Sequence, residues 1–178
     1  MNQKQLTKLY NKIRTIPDFP KPGIQFKDFT PLLADTETLK LTSELIAEPF
    51  KNESVDFVAG LESRGFLFGP LLAQKLHAGF IPVRKPNKLP AETVEEEYEL
   101  EYGTDRLEIH KDAISKGANV VIHDDLIATG GTAMACARLI EKLGGNITAF
   151  SFIMQIDSLQ GFKNLQKESY SCFSLLTV

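Results

Sequence analysis

The sequence predicts an α/β fold: a mostly parallel central sheet flanked by helices. Two patterns carry this expectation. From about residue 55, short β-branched runs alternate with longer segments whose apolar residues recur at helical spacing, the rhythm of strand–helix–strand units. Runs such as Val120-Val121-Ile122 are apolar throughout rather than at every second residue, as strands buried on both faces are. A chain of 178 residues has the size of a single domain, able to bury about 70% of its unfolded surface.

Taken in order, Leu6, Leu9, Tyr10 and Ile13 predict an amphipathic helix that opens the chain and stops before Pro17. Phe19-Pro20-Lys21-Pro22-Gly23 is too proline-rich for regular structure, so residues 19–33 read as a surface loop. A helix follows from near Asp35 to about Pro49. Residues 55–60 then read as a strand, 66–77 as a helix, 79–83 and 120–123 as strands, 132–143 as a helix ended by Gly144-Gly145, and 147–156 as a strand. Between Lys88 and Ile109 the pattern breaks into a weakly alternating acidic stretch, expected to be a hairpin or long loop projecting from the core. The last eighteen residues carry no clear pattern.

Composition narrows the function classes. Hydrophobic residues are 43%, charged residues 24% and the net charge −3, with none of the basic footprint of a nucleic-acid binder. Cys136 and Cys172 read as packed small hydrophobes in a reduced, intracellular protein. The first sixteen residues lack the apolar core of a signal peptide, and no run approaches the roughly 20 residues needed to span a bilayer, so the cytoplasm is the expected location.

The most informative stretch is VVIHDDLIATGGT, residues 120–132. A strand here runs through a loop into a helix, whose free N–H groups and dipole favour a phosphate. Gly130 and Gly131 remove the Cβ atoms that would block its approach, while Thr129 and Thr132 add hydroxyl donors. Asp124 and Asp125 would repel a phosphate; they suit vicinal hydroxyls, or a cation. A phosphorylated pentose has both features. A second strand-to-helix turn, Gly60-Leu61-Glu62-Ser63-Arg64-Gly65, adds a guanidinium able to clamp a pyrophosphate.

Residues 120–132 resemble the signature of the type I phosphoribosyltransferases, which bind 5-phospho-α-D-ribosyl 1-pyrophosphate (PRPP). The resemblance implies that Ala128, Thr129, Gly130, Gly131 and Thr132 hold the 5′-phosphate and the two aspartates the ribose hydroxyls. It implies a pyrophosphate loop of Glu62, Ser63, Arg64 and Gly65, with a cis peptide between Glu62 and Ser63. His123 stands where relatives usually carry an aliphatic residue, and reads as a packed or locally hydrogen-bonded histidine.

Two further segments resemble the adenine-specific branch of that family. Arg84-Lys85-Pro86-Asn87-Lys88-Leu89-Pro90 is followed by a run with eight acids and one base between Glu92 and Glu108. The run contains Leu100-Glu101-Tyr102-Gly103, the resembled flap motif. By that likeness residues 88–110 form a flexible flap, Glu101 is its acid near the purine, Tyr102 covers the site, and Arg84, Lys85 and Lys88 face the pyrophosphate. The segment FPKPGIQFKDFTPLL resembles a base-binding hood spanning residues 1–34 with the first helix, in which Phe26 stacks on adenine and backbone near Gln25 and Lys27 reads its edge. Lys27 replaces an arginine common in relatives and cannot reproduce its bidentate geometry. The likeness runs from about residue 16 to 160. It implies conversion of adenine and PRPP to AMP and diphosphate, Mg²⁺ carried by the substrate, a homodimer, and no nucleic-acid or membrane partner.

Overall fold

The computed structural model describes residues 2–99 and 103–178. The chain divides into two compact units, residues 1–45 and 46–178.

In the first unit, α1 (Gln3–Tyr10) starts from a capping box in which Asn2 and Gln5 satisfy each other's backbone N–H groups. It stops earlier than its apolar spacing predicts. Asn11 caps it, and residues expected to extend it instead enter β1 (Arg14–Pro17), which pairs antiparallel with β2 (Gln25–Asp28) in the register Arg14↔Asp28 to Pro17↔Gln25. This hairpin replaces the expected loop. Its strands are four residues long and largely exposed, so they carry no period-two signal. Arg14 Nε donates to Asp28 Oδ2 at 3.0 Å across the pair, and Asp28 Oδ1 accepts Thr30 N–H at 2.8 Å where α2 (Thr30–Ala34) begins. Asp35 then caps α3 (Thr36–Ala47) by accepting the N–H groups of Glu37 and Thr38, both at 3.0 Å.

The second unit is built on a five-stranded, wholly parallel sheet of order β4-β3-β7-β8-β9. Its strands are β3 (Phe57–Leu61), β4 (Gly79–Val83), β7 (Asn119–Ile127), β8 (Asn146–Gln155) and β9 (Cys172–Thr177). The helices are α4 (Gly65–Leu76), α5 (Gly131–Lys142) and α6 (Gly161–Lys167). Val58, Val120, Val121, Ile122, Phe150 and Ile153 are completely buried, as sheet residues covered on both faces must be. The chain passes from β3 outward to β4, then crosses to β7 and continues to the other edge. The order therefore reverses between β3 and β7, which opens a crevice at their carboxyl ends.

In this unit β7 and the C-terminal segment differ from the sequence expectation. β7 runs to Ile127 rather than ending at His123, which places both aspartates in the strand; pairing with β8, Asp124 opposite Phe152, outweighs the poor strand propensity of aspartate. The featureless C-terminus supplies α6 and the edge strand β9.

The acidic stretch forms an antiparallel hairpin of β5 (Thr93–Glu99) and β6 (Thr104–His110). It does not simply project. Glu96 pairs with Arg138 and Lys142 of α5, and Lys142 Nζ also donates to the Glu95 carbonyl at 3.1 Å. Reciprocal backbone bonds between Arg84 and Glu108 tie β6 to the end of β4.

Candidate active site

Three loops of the second unit meet where β3, β4 and β7 end. The loop after β7 forms a cavity of about 90 Å³ lined by Ala128, Thr129, Gly130 and Thr132 together with Asp124 and Phe152. Gly130, with φ +92°, is the residue before α5, so the loop passes directly into the first N–H groups of that helix. Gly131 opens α5; a Cβ there would lie 3.3 Å from the Glu99 carbonyl, which brings the hairpin against the helix start.

Beside it lies a cavity of about 520 Å³. Its lining includes Glu62, Ser63, Arg64, Lys85, Asp124, Asp125 and Thr132, all expected from sequence. Tyr98, Asp105, Leu107 and Leu126 join them without having been expected. Tyr98 was visible only as one apolar position in an acidic alternation, and nothing marks Asp105 in the sequence. The geometry links them: Asp105 Oδ2 accepts from Lys85 Nζ at 2.7 Å and from the Tyr98 hydroxyl at 3.2 Å. Hydrogen bonding to Lys85 holds the Asp105 carboxyl below its ordinary range, and the same contact raises Lys85.

The peptide between Glu62 and Ser63 is cis, as the family resemblance implies. Gly65 begins α4 close to β7; a Cβ there would lie 2.7 Å from the His123 carbonyl and 3.2 Å from Asp124 Oδ1. Only glycine lets the start of α4 approach β7 this closely. Arg64 Nε lies 3.2 Å from Asp125 Oδ2. Burial and the carboxylate of Asp125 push Asp124 well above the usual carboxylate range; burial also raises Asp125, with Arg64 opposing the shift.

Arg84 and Lys88 do not line the large cavity; they are tied to Glu62. Its carboxylate accepts from Arg84 Nε and Nη2, both at 3.2 Å, and from Lys85 N–H at 2.8 Å, with Lys88 Nζ at 3.3 Å. Burial alone would raise Glu62, but these donors outweigh it and hold the carboxyl below its ordinary value.

His123 is fully buried, with Nδ1 at 3.4 Å from the Ser151 hydroxyl, so it packs in the sheet as expected. Burial lowers it to about 4. Both cysteines are free thiols. Gln25, Phe26 and Lys27 lie on β2 of the first unit, where Phe26 meets Phe19 edge-to-face at 5.2 Å and Lys27 Nζ donates to the Thr15 hydroxyl at 3.1 Å. Glu101 and Tyr102 lie outside the described residues.

A small polar cavity at the start of α5 lies beside a cavity that brings together the Asp124–Asp125 pair and the cations Arg64 and Lys85, a donor and acceptor set of the kind that phosphorylated, hydroxyl-bearing ligands require. Comparison with known proteins gives the class its name. The phosphoribosyl transferase domain model matches residues 32–177. An adenine phosphoribosyltransferase of Salmonella typhi is 52% identical over 173 residues, 97% of this chain and 94% of that protein. The crystal structure of an adenine phosphoribosyltransferase from Rhodothermus marinus superposes with a TM-score of 0.94 at 50% identity, covering 99% of this chain and 100% of the other. The Saccharomyces cerevisiae enzyme, solved with an imino-altritol bisphosphate and adenine, gives 0.90 at 41% identity over 98% and 100% of the two chains. The chain belongs to the phosphoribosyl transferase family, in its adenine phosphoribosyltransferase branch.

Proposed function

We propose that this protein transfers the 5-phosphoribosyl group of PRPP to N9 of adenine, forming AMP and releasing diphosphate. One observation carries the chemistry: the loop after β7 places N–H groups and hydroxyls suited to a phosphate directly beside two carboxylates that are suited to ribose hydroxyls. The relatives' activity supplies the choice of base.

In this reading Ala128, Thr129, Gly130, Gly131 and Thr132 hold the 5′-phosphate. Asp124 and Asp125 accept hydrogen bonds from the ribose hydroxyls and steady positive charge as the bond from the anomeric carbon to diphosphate oxygen breaks and the bond to N9 forms. Arg64 orients Asp125. Ser63, Arg64, Gly65 and Lys85 face the leaving diphosphate, while the Glu62 carboxylate keeps Arg84 and Lys88 beside them as a supporting pool of positive charge. Asp125, Asp105 and Glu62 pair with the cations of this set and hold them together, which preorganises the cluster for diphosphate. Gln25, Phe26 and Lys27 read the base, Tyr102 covers it, and Glu101 accepts the proton that N9 gives up.

Mg²⁺ is part of the proposal. The Asp124–Asp125 pair offers hard oxygen donors that fit it, while the described residues contain no group of three or more acidic, histidine or cysteine side chains that could hold a metal. We propose that the ion is carried by PRPP, that Asp124 or Asp125 would hold it through water, and that when bound it would offset charge on the diphosphate. We propose a cytoplasmic homodimer, which light scattering would test. Among the described residues no helix is long and apolar enough to cross a membrane.

The decisive assay mixes the protein with PRPP, Mg²⁺ and either adenine or hypoxanthine. The two bases exchange donor and acceptor along one edge, so adenine should be preferred by about 10⁴ or more in kcat/KM. Comparable rates with both bases would overturn the proposal.

A further inference from the structure

We propose that Gly161, at the start of α6, is a positioning residue for the 5′-phosphate loop, which rests on it backbone against backbone. The inference builds on the reading of residues 128–132 as the phosphate site. Gly161 N–H donates to the Ala128 carbonyl at 3.0 Å. A Cβ on Gly161 would lie 2.2 Å from the Ala128 oxygen, 2.6 Å from the Thr129 carbonyl carbon and 2.8 Å from Gly130 N. Every one of these is a main-chain atom, so no side chain can swing aside. The approach is mutual, since a Cβ on Gly130 would lie 3.3 Å from the Gly161 carbonyl oxygen.

The contact also sets the direction of the loop's donors. In a planar trans peptide the carbonyl and the next N–H point to opposite sides. With the Ala128 carbonyl held on Gly161, Thr129 N–H turns away from α6. Ala128, Thr129 and Gly130 line the small cavity, and Gly161 is not among its lining residues, so Gly161 bears on the cavity through the loop backbone. The C-terminal segment thus acts on the ligand through the loop, without touching it.

Gly161 is outside the left-handed region, so alanine is acceptable to its own backbone and Gly161→Ala isolates the steric contact. The loop must move by an amount of order 1 Å, a displacement that can cost about 10²-fold in function. The dissociation constant for ribose 5-phosphate, measured by calorimetry, should rise about tenfold or more, and KM for PRPP should rise more than kcat falls. Gly145→Ala is the control for general destabilisation. Its Cβ would meet Ile114 and Ile140 side-chain carbons at 2.6 and 2.8 Å, away from the cavity linings, so its ribose 5-phosphate affinity should match the unmodified protein.

Unchanged affinity in Gly161→Ala, or an equal loss in both variants, would overturn the proposal. Should Gly161→Ala fail to fold, amide hydrogen exchange of the unmodified protein decides instead. Ribose 5-phosphate should slow exchange at Gly161 together with Thr129 to Thr132, and an unaltered Gly161 amide refutes the role. If the unmodified protein does not bind ribose 5-phosphate at all, the phosphate reading itself falls, and this proposal with it.

Discussion

The buried His123 makes the stability of this protein depend on pH in a way that one substitution should remove. Its ordinary value of 6.5 falls to about 4 in the fold because burial disfavours the imidazolium. A histidine with a depressed folded value contributes no penalty above 6.5. As pH falls below 6.5 the unfolded chain takes up a proton that the folded chain refuses until about 4, so stability is lost across that window. At pH 5, one and a half pH units below the ordinary value, the loss relative to pH 8 is about 2 kcal/mol, at about 1.4 kcal/mol per unit. For a chain of this length that corresponds to about 4–8 °C in Tm. His123→Leu should therefore lose less stability between pH 8 and pH 5, by about 2 kcal/mol in urea denaturation, than the unmodified protein. The substitution also removes the 3.4 Å contact to Ser151, but that offset is the same at both pH values and cancels. Parallel losses in the two proteins would show that His123 is not held neutral.

Glu62→Ala should lower unfolding stability by about 1–2 kcal/mol, because it removes the shared partner of Arg84, Lys88 and the Lys85 N–H, all of which water can partly resolvate; an unchanged urea midpoint would refute the assigned network. Asp124→Asn should cut turnover by roughly 10²-fold or more while Tm at pH 7 holds or rises, since burial and Asp125 already disfavour the Asp124 carboxylate. A fall in Tm with turnover intact would reduce the aspartate pair to a structural role. Glu101→Ala should lower kcat by roughly 10²-fold with PRPP affinity nearly unchanged. A large loss of PRPP binding with an unaltered chemical step would reject the proton-handling role.

Local chemistry determined much of this protein before any fold existed. The β-branched run at Val120, the Thr-Gly-Gly-Thr turn and the apolar spacing of residues 132–143 act over neighbouring residues, so strand, cradle and helix are legible in one stretch of chain. The same holds for the turn at Gly60 to Gly65, and for strand 79–83, whose observed limits match the expectation. Other features arise between segments distant in sequence, and only the tertiary structure decides them. β7 extends through Asp124 and Asp125 because β8 pairs with it, although aspartate is a poor strand former. Arg14, Thr15 and Ile16 leave the expected helix because β1 pairs with β2. Glu62 belongs to the pyrophosphate loop by sequence, yet its carboxylate organises cations that lie more than twenty residues away. Tyr98 and Asp105 reach the cavity through the hairpin's register, in which they stand opposite each other. Gly161 follows from none of its neighbours: the need for a missing side chain there comes from the backbone of Ala128, thirty-three residues earlier, pressing against it.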